Sequence, residues 1–83
     1  MITYFVVQSF QRGKKGIILA DTPIQAATRD QALRMGERLA LSKQAVVVFS
    51  RTGDPKDGEW EPAVMLAVHG HVPEEIEEEF AAA

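Results

Sequence analysis

The segment AVVVFS at residues 45–50 is the most strongly strand-forming part of the chain, and the predicted fold is built around it. β-Branched and aromatic side chains suit a pleated strand better than a helix. The run is apolar at odd and even positions alike, which is typical of a strand covered on both faces. We therefore expect it near the centre of a small sheet.

Three further segments have strand character, and they lie at residues 4–10 (YFVVQSF), 17–20 and 63–69. The first two are separated by RGKKG at residues 12–16. The glycines of this segment adopt positive φ without steric cost. This pattern predicts a hairpin with a basic tip.

The clearest local signal is a helix start at Thr28. A threonine N-cap followed three residues later by Gln31 is a capping box. The helix is predicted to run to about Lys43, with one apolar face made by Ala32, Leu33, Met35, Gly36, Leu39 and Ala40. Gly36 in the middle of that face predicts a close approach of the sheet, and Leu41 on the opposite side predicts an exposed leucine or a contact with another chain.

These elements predict an α+β domain with ββαββα order. Its four-stranded antiparallel sheet has the strand order 2-1-3-4, with one main helix on one face. Pro73 fits the first turn of a short acidic C-terminal helix at residues 74–83. Both central strands are apolar on both sides, so a single helix leaves the second face open. We expect a homodimer closed through that face, with the C-terminal helix as the alternative, partial cover.

Length and composition limit the class of protein. Eighty-three residues, 46% of them hydrophobic, predict one domain spanning residues 1–83. The chain has no cysteine, so disulfides and thiolate metal sites are excluded. The N-terminus carries no charged leader and the apolar runs are too short to span a bilayer, which predicts a cytoplasmic protein without a membrane partner.

The charges are sorted along the chain. Residues 1–51 carry eight basic and three acidic side chains, whereas residues 52–83 carry one basic and nine acidic. A basic body with an acidic end can bind a polyanion, pair with its own tail, or stack on a copy of itself.

The candidate polyanion-binding or tail-binding residues lie on the predicted hairpin tip and outer helix face; they are Arg12, Lys14, Lys15, Arg29, Arg34, Arg38 and Lys43. Nucleic acid is one partner they could contact through phosphates. The aromatic side chains that stack bases are missing beside them, because Trp60 is isolated in the sequence. The glutamates at residues 74–79 are the alternative partner. The basic residues could also serve only to keep the surface soluble.

His69 and His71 lie two apart in an extended segment, so with Glu74 they are weak candidates for a transition-metal site. The alternative is a pair of half-exposed histidines beside a turn. The acidic loop at residues 54–61 lacks calcium-loop spacing, the turn at 12–16 lacks P-loop spacing, and no serine lies in a nucleophile elbow. We therefore expect no catalytic residue and no cofactor.

Residues 4–10 resemble the first strand of the SPOR domains, which bind peptidoglycan. In that family the helix follows the strand directly, whereas here a second strand intervenes, so that function is not carried over. The whole chain is similar to short bacterial proteins that share a YFVV strand, a helix ending near ERLA and an FSRxGDP turn; this resemblance implies no activity.

The sequence thus predicts a small, self-associating, non-catalytic binding or assembly module whose partner is a protein. Two alternatives stay open. One is a nucleic-acid-binding accessory protein that uses the basic residues, and the other is a metal- or small-ligand-binding protein that uses His69 and His71.

Overall fold

The computed structural model describes residues 1–72, which form an α+β fold with a curled antiparallel sheet and one main helix. The strands are β1 (Ile2–Arg12), β2 (Ile18–Ala20), β3 (Ile24–Ala26), β4 (Ala45–Asp54), β5 (Glu59–Trp60) and β6 (Val64–Gly70), and the helix is α1 (Arg29–Leu39). A short 3₁₀ turn, Lys14–Gly16, forms the tip between β1 and β2. The predicted C-terminal helix lies outside the described residues.

β1 and β4 form the centre of the sheet, paired in continuous register from Ile2 opposite Gly53 to Phe10 opposite Ala45. β2 and β3 share the outer edge of β1, and β5 and β6 share the outer edge of β4. The predicted neighbours of the central strands are confirmed, but the four-stranded layout is only partly matched, because the sheet has six strands within residues 1–72.

The two strands that the sequence did not predict are too short to leave a pattern. β3 has three residues and follows Pro23, so its sequence is typical of a loop that leads into the helix. β5 has two residues. The central strands are also longer than expected, since β4 continues through the polar stretch from Arg51 to Asp54. Backbone hydrogen bonds extend a ladder whatever side chains it carries.

The helix begins as predicted and ends earlier. The Gln31 N–H donates to the Thr28 hydroxyl at 3.1 Å, and the Ala27 N–H donates to the Gln31 side chain at 2.8 Å. α1 ends at Leu39 and not at Lys43, because the next residues turn back toward the sheet. There the Gln44 N–H donates to the carbonyl of Phe10 at 2.9 Å and leads into β4.

Between α1 and the sheet lies the first part of the core, made by Val7, Ala26, Ala32, Val46 and Val48. Gly36 confirms the predicted close approach, since a Cβ there would lie 2.6 Å from Cγ2 of Val48. Leu41, predicted to lie off the apolar face, is 88% exposed.

The face of the sheet opposite α1, called the second face, is more buried than the sequence predicted. The sequence predicted an open apolar face, but the side chains at its centre are buried within the chain: Phe10, Ala45, Val47, Phe49 and Val72. Val72 follows β6 and packs in this cluster, so the chain itself turns onto the second face.

Candidate functional site

An aromatic and cationic groove lies on the second face, at the end of the sheet where β1 begins. Tyr4 of β1 and Arg51 of β4 are directly opposite each other in the ladder. Directly opposite residues have their side chains on the same face. Trp60 of β5 lies opposite Gly53, two residues farther along β4. The pairing of β1 with the distant β4, and of β4 with the next strand β5, thus brings these three side chains together.

The three side chains contact one another. The rings of Tyr4 and Trp60 have centroids 5.7 Å apart and are inclined at 31°. This separation is typical of aromatic pairs that attract each other. The guanidinium carbon of Arg51 lies 5.6 Å from the centroid of the Trp60 ring. A cation this close to a ring is attracted by its π-electrons, so the indole favours this position of the guanidinium.

Gly53 makes this arrangement possible. A Cβ at residue 53 would lie 2.5 Å from Cδ2 and Cε3 of Trp60 and 2.6 Å from the carbonyl oxygen of Glu59. The indole therefore lies directly against the backbone of β4, and a side chain there would push it away from Tyr4 and Arg51.

The groove has a volume of about 470 Å³ and is lined by Tyr4, Val6, Gln25, Arg51 and Trp60. Gln25 comes from β3, opposite Val6, so the groove crosses the sheet from β3 to β5. Nε of Arg51 is buried and has no hydrogen-bond partner among residues 1–72.

Acidic side chains border the far side of the indole. Glu59 and Glu61, together with Met1 and Trp60, line a second, shallower depression. The groove therefore offers one fixed cation with carboxylates close by, and its surroundings are not broadly basic.

The predicted polyanion-binding residues are dispersed. Arg12, Lys14 and Lys15 are exposed at the tip beyond β1, and Arg29, Arg34 and Arg38 are exposed on α1. Arg12 and Lys43 line one polar depression. The tip lies far from the aromatic groove, because the two are at opposite ends of the long strand β1. The eight steps of strand from Tyr4 to Arg12 span roughly 26 Å, at about 3.3 Å per step.

Lys43 is engaged in a local polar cluster. Its ammonium lies 3.1 Å from Asp21, and the Ser9 hydroxyl donates to the same carboxylate at 2.6 Å. The Gln11 side chain donates to the other carboxylate oxygen. Hydrogen bonds from Gln11 and Ser9, with a smaller effect of Lys43, lower the pKa of Asp21 from 3.8 to about 2. Ser9 is buried and its hydroxyl is used by this carboxylate, so it has a structural role.

The two histidines are separated by Gly70, whose φ of 76° interrupts the extended backbone. His69 lies under the helix, with its ring 3.7 Å from the position of a Cβ on Gly36, and its Nε2 is buried without a hydrogen-bond partner. His71 is exposed. Residues 1–72 contain no group of three or more side chains that could hold a metal ion, and the third candidate ligand, Glu74, lies outside them.

The aromatic groove was not predicted, because Trp60 is isolated in the sequence and the apolar pattern of residues 4–10 assigns Tyr4 to the core. The β1–β4 pairing itself was predicted, and its register places Tyr4 opposite Arg51. The missing signal was β5, which carries Trp60 and is only two residues long.

Comparison with family models, curated proteins and solved structures finds no match to this chain. Within residues 1–72, no helix is long and apolar enough to cross a membrane.

Proposed function

We propose that this protein is a non-catalytic binding module that assembles with a second copy of itself through strand β6. The observation that carries this proposal is the outer edge of β6. The strand spans Val64–Gly70 and pairs with β4 on one side, and no other strand within residues 1–72 pairs with its outer side. An edge of this kind exposes backbone donors and acceptors that can pair with another strand.

β6 lacks the charged and proline residues that normally protect an edge strand, although a register shift interrupts its pairing with β4 between Val48 and Phe49. Its sequence, VMLAVHG, contains no lysine, carboxylate or proline. The opposite edge of the sheet is protected, because β2 and β3 have three residues each and Pro23 lies between them. Short strands and proline discourage edge-to-edge pairing. The two edges therefore differ in their capacity to accept another chain.

Apolar side chains lie exposed along the same strand. Val64 is 57% exposed, Met65 37% and Val68 42%. A strand added beside β6 would cover part of these side chains while satisfying the backbone groups. Cross-strand apolar pairs are the unit that stabilises such an addition.

A second copy is the occupant that fits best. Two-fold symmetry brings the same surface of each subunit together, so the surface must be complementary to itself. An uncharged apolar strand meets this condition, because no like charges face each other when two copies of β6 pair antiparallel. This contact differs from the one expected from the sequence, since it uses the edge of the sheet and not its second face.

The test compares two lysine substitutions. Val68→Lys places a charge at the proposed contact, and Leu19→Lys is the matched control, because Leu19 is exposed on β2 at the protected edge. Sedimentation velocity over a concentration series should show a dimer for the unmodified chain and for Leu19→Lys. For Val68→Lys we expect dimerisation at least about tenfold weaker, equivalent to about 1.4 kcal/mol.

Equal dimerisation of the two variants would place the contact elsewhere, and a monomer at every concentration of the unmodified chain would refute self-association. Nucleic-acid binding is the competing function, supported by the exposed basic residues at the tip and on α1. Retention of the unmodified chain on single-stranded DNA, weakening steeply with salt, would favour that alternative.

A further inference from the structure

The aromatic groove on the second face contains a fixed cation without an anion. The only salt bridge among residues 1–72 joins Lys43 to Asp21, so Arg51 is not paired with a carboxylate in the described part of the chain. Its guanidinium lies against the Trp60 ring. Arginine recognises carboxylates through paired N–H donors in a fixed plane.

The aromatic side chains beside Arg51 offer a flat surface. Trp60 remains 38% exposed although it stacks against Tyr4. The two rings are too close together to admit a third ring between them, so a planar ligand would stack on their open side. Gln25 adds an amide on the opposite wall, where it can donate or accept a hydrogen bond.

We propose that this groove binds a small planar monoanion, namely an aromatic ring that carries one carboxylate. The carboxylate would accept hydrogen bonds from Arg51, and the ring would stack against Tyr4 and Trp60. The groove volume of about 470 Å³ is sufficient for such a ligand. A mostly apolar lining with a few polar groups is typical of small-molecule sites.

The charges around the groove select a single negative charge. Among the described residues, Arg51 is the one cation in the lining, whereas Glu59 and Glu61 border the other side of Trp60. A phosphate ester with two negative charges would be repelled by these carboxylates more strongly than a carboxylate with one. A nucleic-acid strand fits less well, because the basic tip that would follow its phosphates lies at the far end of β1.

This inference is independent of self-association. β6 pairs with residues 45–50 of β4, whereas the groove uses Arg51 and the β5 strand beyond them. Failure of one proposal therefore leaves the other standing.

The test is an NMR titration that observes two resonances: the Trp60 indole N–H, which is unambiguous because Trp60 is the only tryptophan, and the Arg51 side-chain N–H, which is identified by its loss in Arg51→Gln. The probes are 4-hydroxybenzoate, indole-3-acetate, the uncharged 4-hydroxybenzamide, and adenosine monophosphate. Both aromatic carboxylates should shift the two resonances at millimolar concentration or below. The amide should bind at least about tenfold more weakly.

Two variants locate the site. Arg51→Gln should weaken binding of 4-hydroxybenzoate at least about tenfold. Arg38→Gln, which removes an exposed arginine of α1, should leave that binding unchanged. Circular dichroism of each variant confirms that it is folded. If Arg51→Gln does not fold, comparing the affinities of the unmodified chain for 4-hydroxybenzoate and 4-hydroxybenzamide still tests whether the carboxylate is recognised.

Three results would overturn the proposal: no shift with either carboxylate, equal affinity for the acid and the amide, or tighter binding of adenosine monophosphate than of the carboxylates. The last result would assign the groove to nucleotides.

Discussion

Asp21 shows how one side chain joins three segments of the chain. It lies between β2 and β3, accepts hydrogen bonds from Ser9 and Gln11 of β1, and pairs with Lys43 of the segment after α1. The Gln8 side chain donates to its backbone carbonyl in addition. A carboxylate stabilised by several donors keeps its charge to lower pH, which links protonation to folding.

The depressed pKa of Asp21, about 2 against an ordinary 3.8, predicts a pH dependence. The ionised carboxylate stabilises the fold above pH 3.8, and that contribution is lost as the pH falls toward 2. Asp21→Asn removes the linkage, so the variant should lose less stability than the unmodified chain between about pH 5 and about pH 2. Urea denaturation at several pH values measures this.

Glu37→Gln is the matched control, since Glu37 is an exposed carboxylate on α1. If Asp21→Asn and Glu37→Gln follow the same pH dependence, the Asp21 cluster does not contribute in this way.

Single residues were predictable where their role is local. Thr28 and Gln31 form the expected helix start, because a capping box needs only residues close in sequence. Tyr4, Arg51 and Trp60 could not be grouped from the sequence, because their contact requires the register of two strand pairs at once.

The secondary-structure elements were predicted better by type than by extent. Apolar patterns identified β1, β4, β6 and α1, since packing requires apolar side chains there. The missed β3 and β5 are held by neighbours and not by their own composition. The polar continuation of β4 was missed for the same reason, because it follows β1 along the ladder.

The contact between α1 and β4 gives a prediction at this scale. Gly36→Ala adds a methyl group 2.6 Å from Cγ2 of Val48, which is fully buried. A valine side chain is rotationally stiff and yields little. Overpacking of this kind costs about 1–3 kcal/mol, against a gain of about 1 kcal/mol in helix propensity. We expect a net loss of unfolding free energy, measured by urea denaturation.

Glu37→Ala is the control for this prediction, because Glu37 is the next residue of α1 and its side chain is exposed. Surface substitutions of this kind usually change the unfolding free energy by less than about 0.5 kcal/mol, and we expect the same here. A Gly36→Ala variant as stable as the unmodified chain would mean that α1 does not pack against Val48 this closely.

For the whole molecule, the main difference from the sequence-based prediction concerns how the sheet is covered. Apolar residues on both sides of the central strands suggested a missing layer, yet Phe10, Val47 and Phe49 are buried within the chain. Apolar pattern shows that a face is buried but does not show which segment buries it. Exposed apolar side chains remain at both edges of the sheet, along β6 and at Ile17, Leu19 and Ile24.

The β6 edge is the basis of the proposed assembly, because a small domain buries little surface on its own and a strand added at the edge would bury more. It also relates the two proposals spatially. Pairing through β6 leaves the aromatic groove at the other end of β4 open, so an assembled dimer would carry one groove on each copy.

The most direct test of self-association is an isotope-filtered NMR experiment on a mixture of labelled and unlabelled chains. It reports only contacts between protons of different copies. If the protein self-associates through β6, we expect intermolecular contacts among residues 64–70 of the two copies, with β6 of one copy beside β6 of the other. The absence of intermolecular contacts, or contacts confined to other parts of the chain, would contradict it.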